Sequence, residues 1–314
     1  MKSTAPKLKA VLFDIDNVLV DTRRSYLDAI RWCVDIFLSS GKVPHYQPEK
    51  KNRVPHLLTL DDVCSFKLLG GFNDDWDCCY GILVYLMQLP VKQKTIHALR
   101  ELKDFRALVK EIKERPLRMA GIVKKFNRHP EITIEKISRI FQEIYLGPEL
   151  FKKQEQKQPF YWKKRGLIFM EKPIFKKEIF EALKAAGIKL GIATGRPRFE
   201  AEFVLKRFGI LEYFDAMTTM DEVKKAEAQA GKSLRKPHPY SLLATAKRLN
   251  VVDNLLYIGD LPDDMLAAKQ GGIQAAAFPW YSSETPEGLK EIMNTKPDFL
   301  LKQPKHLLKL AGIQ

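Results

Sequence analysis

The chain has 314 residues, of which 45% are hydrophobic and 29% charged, enough to bury a sizeable core in one large domain or two ordinary ones. Its apolar runs, such as Ile273 to Trp280, fall well short of the roughly 20 residues that a bilayer span requires, so no membrane span is expected. A net charge of +15 suits an anionic partner without choosing among nucleic acid, an acidic membrane surface and a phosphorylated metabolite. Acids are interleaved with the basic residues, as in Lys92 to Arg128, which reads as a solvated face. Nucleic acid is therefore not expected as the partner.

In chain order, Val11 to Phe13 meets Asp14 too early for the apolar region of a signal peptide, and a cytoplasmic protein is expected. Ala10 to Asp16 reads as a buried strand that ends abruptly in carboxylates. Ser25 to Leu38 has helical spacing, and a Pro- and Lys-rich connection runs from Lys42 to Pro55. The pattern predicts helices over Thr95 to Arg115 and Thr133 to Tyr145, the latter opening on Thr133 as a cap. Lys152 to Arg165 mixes basic and aromatic residues and is read as a helix end followed by a linker. The four cysteines (Cys33, Cys64, Cys78, Cys79) show no metal-binding spacing, and free thiols are expected.

After Gly166 strands and helices alternate. Strands are predicted at Lys189 to Ala193, Leu255 to Ile258, Ile273 to Phe278 and Asp298 to Leu301, with helices at Arg198 to Phe208 and Pro239 to Leu249. Such alternation predicts an α/β fold, a doubly wound, mostly parallel Rossmann-like sheet with helices on both faces. The first strand belongs to it, yet its next partner lies some 150 residues on, far beyond ordinary loop lengths. Residues 1–21 and 166–314 are thus expected to form the core, and 22–165 an inserted, mainly helical domain.

Open α/β sheets gather ligand groups at the carboxyl ends of their strands. Four segments qualify: Asp14-Ile-Asp-Asn, Thr194-Gly-Arg-Pro, Lys236-Pro, and Gly259-Asp-Leu-Pro-Asp-Asp. In kind and order they resemble the four motifs of the haloacid dehalogenase superfamily, and the likeness covers the whole core. The resemblance implies a phosphatase in which Asp14 attacks phosphorus and forms an aspartyl-phosphate, while Asp16 protonates the leaving oxygen and then activates water. Thr194 would donate to a phosphate oxygen, with Gly195 allowing close approach of the backbone, and Lys236 would neutralise nucleophile and phosphate together. Asp14, the backbone carbonyl of Asp16, Asp260 and Asp264 would hold Mg2+, with Asp263 as the alternative to Asp264. The second aspartate of the first motif separates this chain from the dehalogenases, which lack it.

The superfamily usually has glycine where this chain has Asn17, the non-glycine type that best tolerates positive φ. Asn17, Gly195 and Arg196 are expected beside the substrate, and Arg196, like Arg198, is suited to bidentate capture of a second anionic group. The insertion resembles the cap of the phosphoglycolate phosphatase branch, where closure excludes water and selects substrate. Within it, Lys67 to Asp77 stands out for paired glycines beside Asn73 and Trp76. Those two residues are candidate substrate contacts, or else a helix cap and a core anchor. A small phosphorylated metabolite is the expected substrate. A phosphomutase would share all four motifs, and a nucleic-acid or protein binding module on an inactive core would use the charge alone.

Overall fold

Ala10–Phe13 form β1, four apolar residues with no solvent exposure, and the rest of the core is arranged around this strand. The computed structural model describes residues 8–41, 56–72, 74–114, 117–280 and 286–313. The predicted connection from Lys42 to Pro55 and the candidate Asn73 lie outside them. The chain divides into two compact units, one of residues 1–22 and 171–314 and one of residues 23–170.

The first unit contains β1, β2 (Val20–Asp21), β3 (Lys172–Pro173), α8 (Lys177–Ala185), β4 (Lys189–Ala193), α9 (Arg198–Phe208), β5 (Ala216–Thr218), α10 (Met220–Ala230) and α11 (Tyr240–Leu249). It continues with β6 (Leu255–Gly259), α12 (Pro262–Gln270), β7 (Gln274–Ala277), α13 (Pro286–Asn294), β8 (Phe299–Leu300) and α14 (His306–Leu310). Six of the strands make one sheet in the order β5-β4-β1-β6-β7-β8, every pairing parallel. In β1, Ala10 pairs with both Lys189 and Leu255. β2 and β3 form a separate antiparallel pair within this unit.

Burial on both faces explains why the strands read as continuous apolar runs. Ala10 and Leu12 pack with Leu242, Ala246 and Leu249 of α11. Phe13 meets Phe175, Phe180 and Phe214 edge-on, with ring centroids 5.7, 6.0 and 5.8 Å away. Such contacts add specificity beyond the area they bury.

The second unit is helical among its described residues: α1 (Tyr26–Leu38), α2 (Leu60–Lys67), α3 (Asp75–Gln88), α4 (Ile96–Leu102), α5 (Phe105–Glu111), α6 (Arg118–Phe126) and α7 (Ile134–Glu155). The single helix predicted from Thr95 is two, α4 and α5, and its expected end at Arg115 lies outside the described residues. Asp104 breaks it: its side chain caps Ala107 N at 2.8 Å, and its own N–H donates to Tyr85 Oη at 3.0 Å, so a cap and a tertiary bond replace two helical hydrogen bonds. α7 runs ten residues beyond the predicted Tyr145 but is kinked, with Gly147 at φ 73° just before Pro148. Proline there lacks the N–H and disfavours helical geometry in the residue before it.

Glu143, fully buried on α7, fastens the segment that follows this helix. Its carboxylate accepts the successive N–H groups of Phe160, Tyr161 and Trp162 at 2.7, 2.5 and 3.1 Å and the Nε of Arg139 at 2.5 Å. Glu143→Ala strands these donors, and we expect a loss of about 3 kcal/mol, measured as a lower urea midpoint with the m-value unchanged.

Candidate active site

From β1 the sheet grows one way through β4 to β5 and the other way through β6 to β8, so the chain reverses at β1. In an open α/β sheet such a switch point opens a crevice at the carboxyl ends of the strands. Asp14 follows β1 directly, Thr194 follows β4, and Asp260 follows β6. Asp264 sits in the first turn of α12. Lys236 precedes α11 and reaches Asp14 Oδ2 and Asp264 Oδ1, both at 2.9 Å.

Asp14, Asp260 and Asp264 are all buried and offer one carboxylate oxygen each, all within 4.8 Å of one another. Desolvation is the main cost. It pushes the Asp14 carboxyl up to about 6, with Asp264 and Asp16 adding repulsion and Lys236 opposing them. Asp260 is held well above the usual carboxylate range, by burial first and then by Asp264 and Asp14. Burial works against the charge on Lys236 too, but Asp14 and Asp264 outweigh it and raise its pKa. An oxygen-only set whose charges strain against one another suits a hard divalent cation.

Asp264 is fixed from both sides. Oδ2 accepts the N–H groups of Asp260 and Leu261 at 3.1 and 3.0 Å, and Oδ1 accepts the Tyr257 hydroxyl at 2.9 Å. A Cβ on Gly259 would lie 2.3 Å from Asp264 Cβ, so glycine is what lets this carboxylate fold back. Asp263, the alternative, is outside the cluster.

Asp16 points elsewhere. Its Oδ1 takes Nε and Nη2 of Arg196 at 2.6 and 2.5 Å, and the other edge of that guanidinium meets both oxygens of Glu171 at 3.1 Å. Arg196 is 1% exposed and Glu171 2%. The arginine expected to face a second anion of the substrate is therefore buried between carboxylates of its own chain, where its planar fork serves two acceptors at once. Arg198 is likewise engaged, by Glu222 and Glu202.

Thr194 is buried, and its Oγ1 accepts Arg196 N at 3.2 Å. Gly195 is exposed, and a Cβ there would meet only Met220 Cε, at 3.9 Å. Asn17 does adopt positive φ, 53°, but its Oδ1 accepts the Thr22 hydroxyl at 3.0 Å, so its side chain holds the turn. Trp76 stands at the start of α3 in the helical unit, its N–H donating to the cap Asp74 at 2.9 Å.

Comparison with known proteins decides the family. A family model described as a haloacid dehalogenase-like hydrolase matches residues 8–272, most of the chain and all four motifs. The chain belongs to the haloacid dehalogenase-like hydrolases. It is 30% identical over 138 residues to pyrophosphatase PpaX of Bacillus velezensis, covering 44% of this chain and 58% of that protein. The chain thus spans little over half the length of the curated relatives it matches. A structural-genomics X-ray structure superposes with a TM-score of 0.68 at 20% identity, covering 97% of this chain and 98% of the other. The structure of a predicted phosphoglycolate phosphatase from Haemophilus somnus superposes with a TM-score of 0.54 at 18% identity, covering 96% and 97%. These likenesses carry the fold.

Two residues of this haloacid dehalogenase-like site escaped the sequence reading. Tyr257 lies within β6, and its hydroxyl accepts from Lys236 Nζ at 2.5 Å while donating to Asp264. The available signal was a polar-tipped residue in an otherwise apolar strand, two positions before Gly259. Glu171 carried no local signal, because its role depends on Arg196 arriving 25 residues later. Tyr257→Phe frees one ammonium proton of Lys236 and one oxygen site of Asp264. A fall in kcat of roughly tenfold is expected, as for losing one hydrogen bond to a charged group, with thermal stability nearly kept.

Proposed function

We propose that the chain is a magnesium-dependent phosphatase that hydrolyses a small phosphorylated metabolite through an aspartyl-phosphate on Asp14. The observation that carries this reading is the Asp14 carboxylate, buried at the end of the central strand, ion-paired to Lys236 and clustered with Asp260 and Asp264. A structural carboxylate gains nothing from such a place. A nucleophile gains a fixed direction of attack and a charge that is poorly solvated.

Asp14, Asp260 and Asp264, with the Asp16 carbonyl, would hold the metal. When bound, magnesium supplies positive charge for the phosphoryl oxygens. Asp14 attacks phosphorus as the bond to the leaving oxygen breaks, and Asp16, protonated once it has turned from Arg196, delivers the proton that oxygen takes. Asp16 then removes a proton from the water that attacks the phosphorylated Asp14, which releases phosphate and regenerates the carboxylate. Lys236 and the Thr194 hydroxyl face the transferring group with a charge and a donor. Pyrophosphate enters the substrate panel because of the PpaX relatives, and phosphoglycolate because of the structural neighbours.

The test is phosphate release from such a panel, with magnesium and then with EDTA in excess. Release that requires the metal and ranks the substrates supports the reading. Equal release in EDTA would remove the metal from it, and no release from any ester or from pyrophosphate would remove the reading itself.

A further inference from the structure

The kink in α7 leaves a cavity of about 480 Å³ in the helical unit, lined by Gly147, Pro148, Lys163, Lys164, Arg165 and Phe169 among others. Two glycines build its floor. A Cβ on Gly147 would lie 2.4 Å from Gly166 N, and one on Gly166 would lie 2.2 Å from Leu146 O, so the two backbones cross with no room for side chains. That crossing sets three consecutive cations beside Pro148, where the second stretch of α7 begins. Its positive dipole end adds to their field.

Two of the three cationic groups lie over aromatic faces, and among the described residues none is held by an acid. The Arg165 guanidinium lies 4.2 Å from the Phe169 ring centroid, and Lys164 Nζ lies 5.3 and 5.4 Å from those of Trp32 and Trp162. Cation–π contacts orient a charge without neutralising it. Among the described residues no carboxylate is ion-paired with Lys163, Lys164 or Arg165, and Glu149 is the one acid on the cavity wall.

We propose that this cavity is an anion site for a small phosphate-bearing molecule. Its volume is in the range of small-ligand pockets, and an arginine fork with two ammonium groups matches the oxygens of a phosphate or pyrophosphate. The site stands apart from the phosphatase reading, since binding here needs neither metal nor turnover. The ligand is either the substrate itself or a separate effector of the same chemistry.

The test titrates inorganic pyrophosphate into the full chain in EDTA at fixed ionic strength. It is followed by calorimetry and by tryptophan fluorescence, to which Trp32 and Trp162 beside Lys164 contribute. Saturable 1:1 binding is expected, weakened roughly tenfold or more in Lys163→Gln/Arg165→Gln. It should be unchanged in Lys224→Gln/Lys247→Gln, which removes equal charge from exposed positions elsewhere. Melting curves establish that both variants fold. Equal weakening in the two variants would mean attraction by net charge alone and would overturn the site, as would undiminished binding in the first or no saturation in the native chain. Once binding is lost in the first variant, a raised KM with kcat kept identifies the ligand as substrate, and unchanged kinetics identify a separate effector.

Discussion

Asp14→Asn is expected to lower phosphate release by about 10⁴-fold or more, the scale seen when a covalent nucleophile is removed, with the fold intact. The change keeps the shape of the side chain and deletes the charge that attacks phosphorus. It also relieves a burial cost, because the Asp14 carboxyl is pushed up to about 6 from an ordinary 3.8. Between those values the folded chain binds a proton that the unfolded chain does not, so the Asp14 contribution to stability grows more favourable as pH falls. In metal-free buffer the asparagine variant should therefore melt no lower than the native protein at pH 7, and any advantage should shrink toward pH 4. Magnesium should raise the native melting temperature by preferential binding to the folded state, and much less that of the variant. Calorimetric scans with and without metal separate loss of chemistry from loss of structure; a variant that melts well below the native chain in EDTA would contradict the electrostatic account.

Arg196→Met should cost about 3–5 kcal/mol, the penalty for breaking one side of a buried ion pair. The reason lies in Glu171, which is 2% exposed and loses a bidentate guanidinium. Replacing Glu171 by Met in the same chain should recover most of that loss, since apolar pairs often substitute for buried ionic ones. Activity should not recover, because the double variant also removes the resting partner from which Asp16 turns to the leaving oxygen. Chemical denaturation and turnover measured on both variants test this split. Recovery of both together would assign Arg196 to stability alone.

The parts of the site that lie at strand ends were legible because an apolar run that stops at a carboxylate is a local pattern. Asp14 after β1, Thr194 after β4 and Asp260 after β6 are read from a few residues each, as is Lys236 before a helix, and resemblance gave them their roles. The parallel sheet followed from alternation, although β5, only Ala-Met-Thr, is too short to show a period. What stayed hidden depends on pairs distant in sequence. Arg196 reads equally well as a ligand for substrate until Glu171 and Asp16 are seen on either side of it. The break at Asp104 needed the Tyr85 hydroxyl, 19 residues back, and Tyr257 became part of the site only when Lys236 reached it.

The position of β1 sets a condition on how the chain is made. Its first strand is central in the sheet, and its two neighbours, β4 and β6, begin at Lys189 and Leu255. At ribosomal rates of roughly 5–20 residues per second, a nascent β1 waits on the order of ten seconds or longer for its second neighbour. The intervening helical unit has its own buried aromatic core, where Phe66 meets Phe72 and Phe105, and so can form during the delay. Until β6 emerges, a fully apolar strand with an open edge is exposed to other chains. Slowing elongation between β4 and β6 should therefore raise aggregation, whereas a pause after β8 should not.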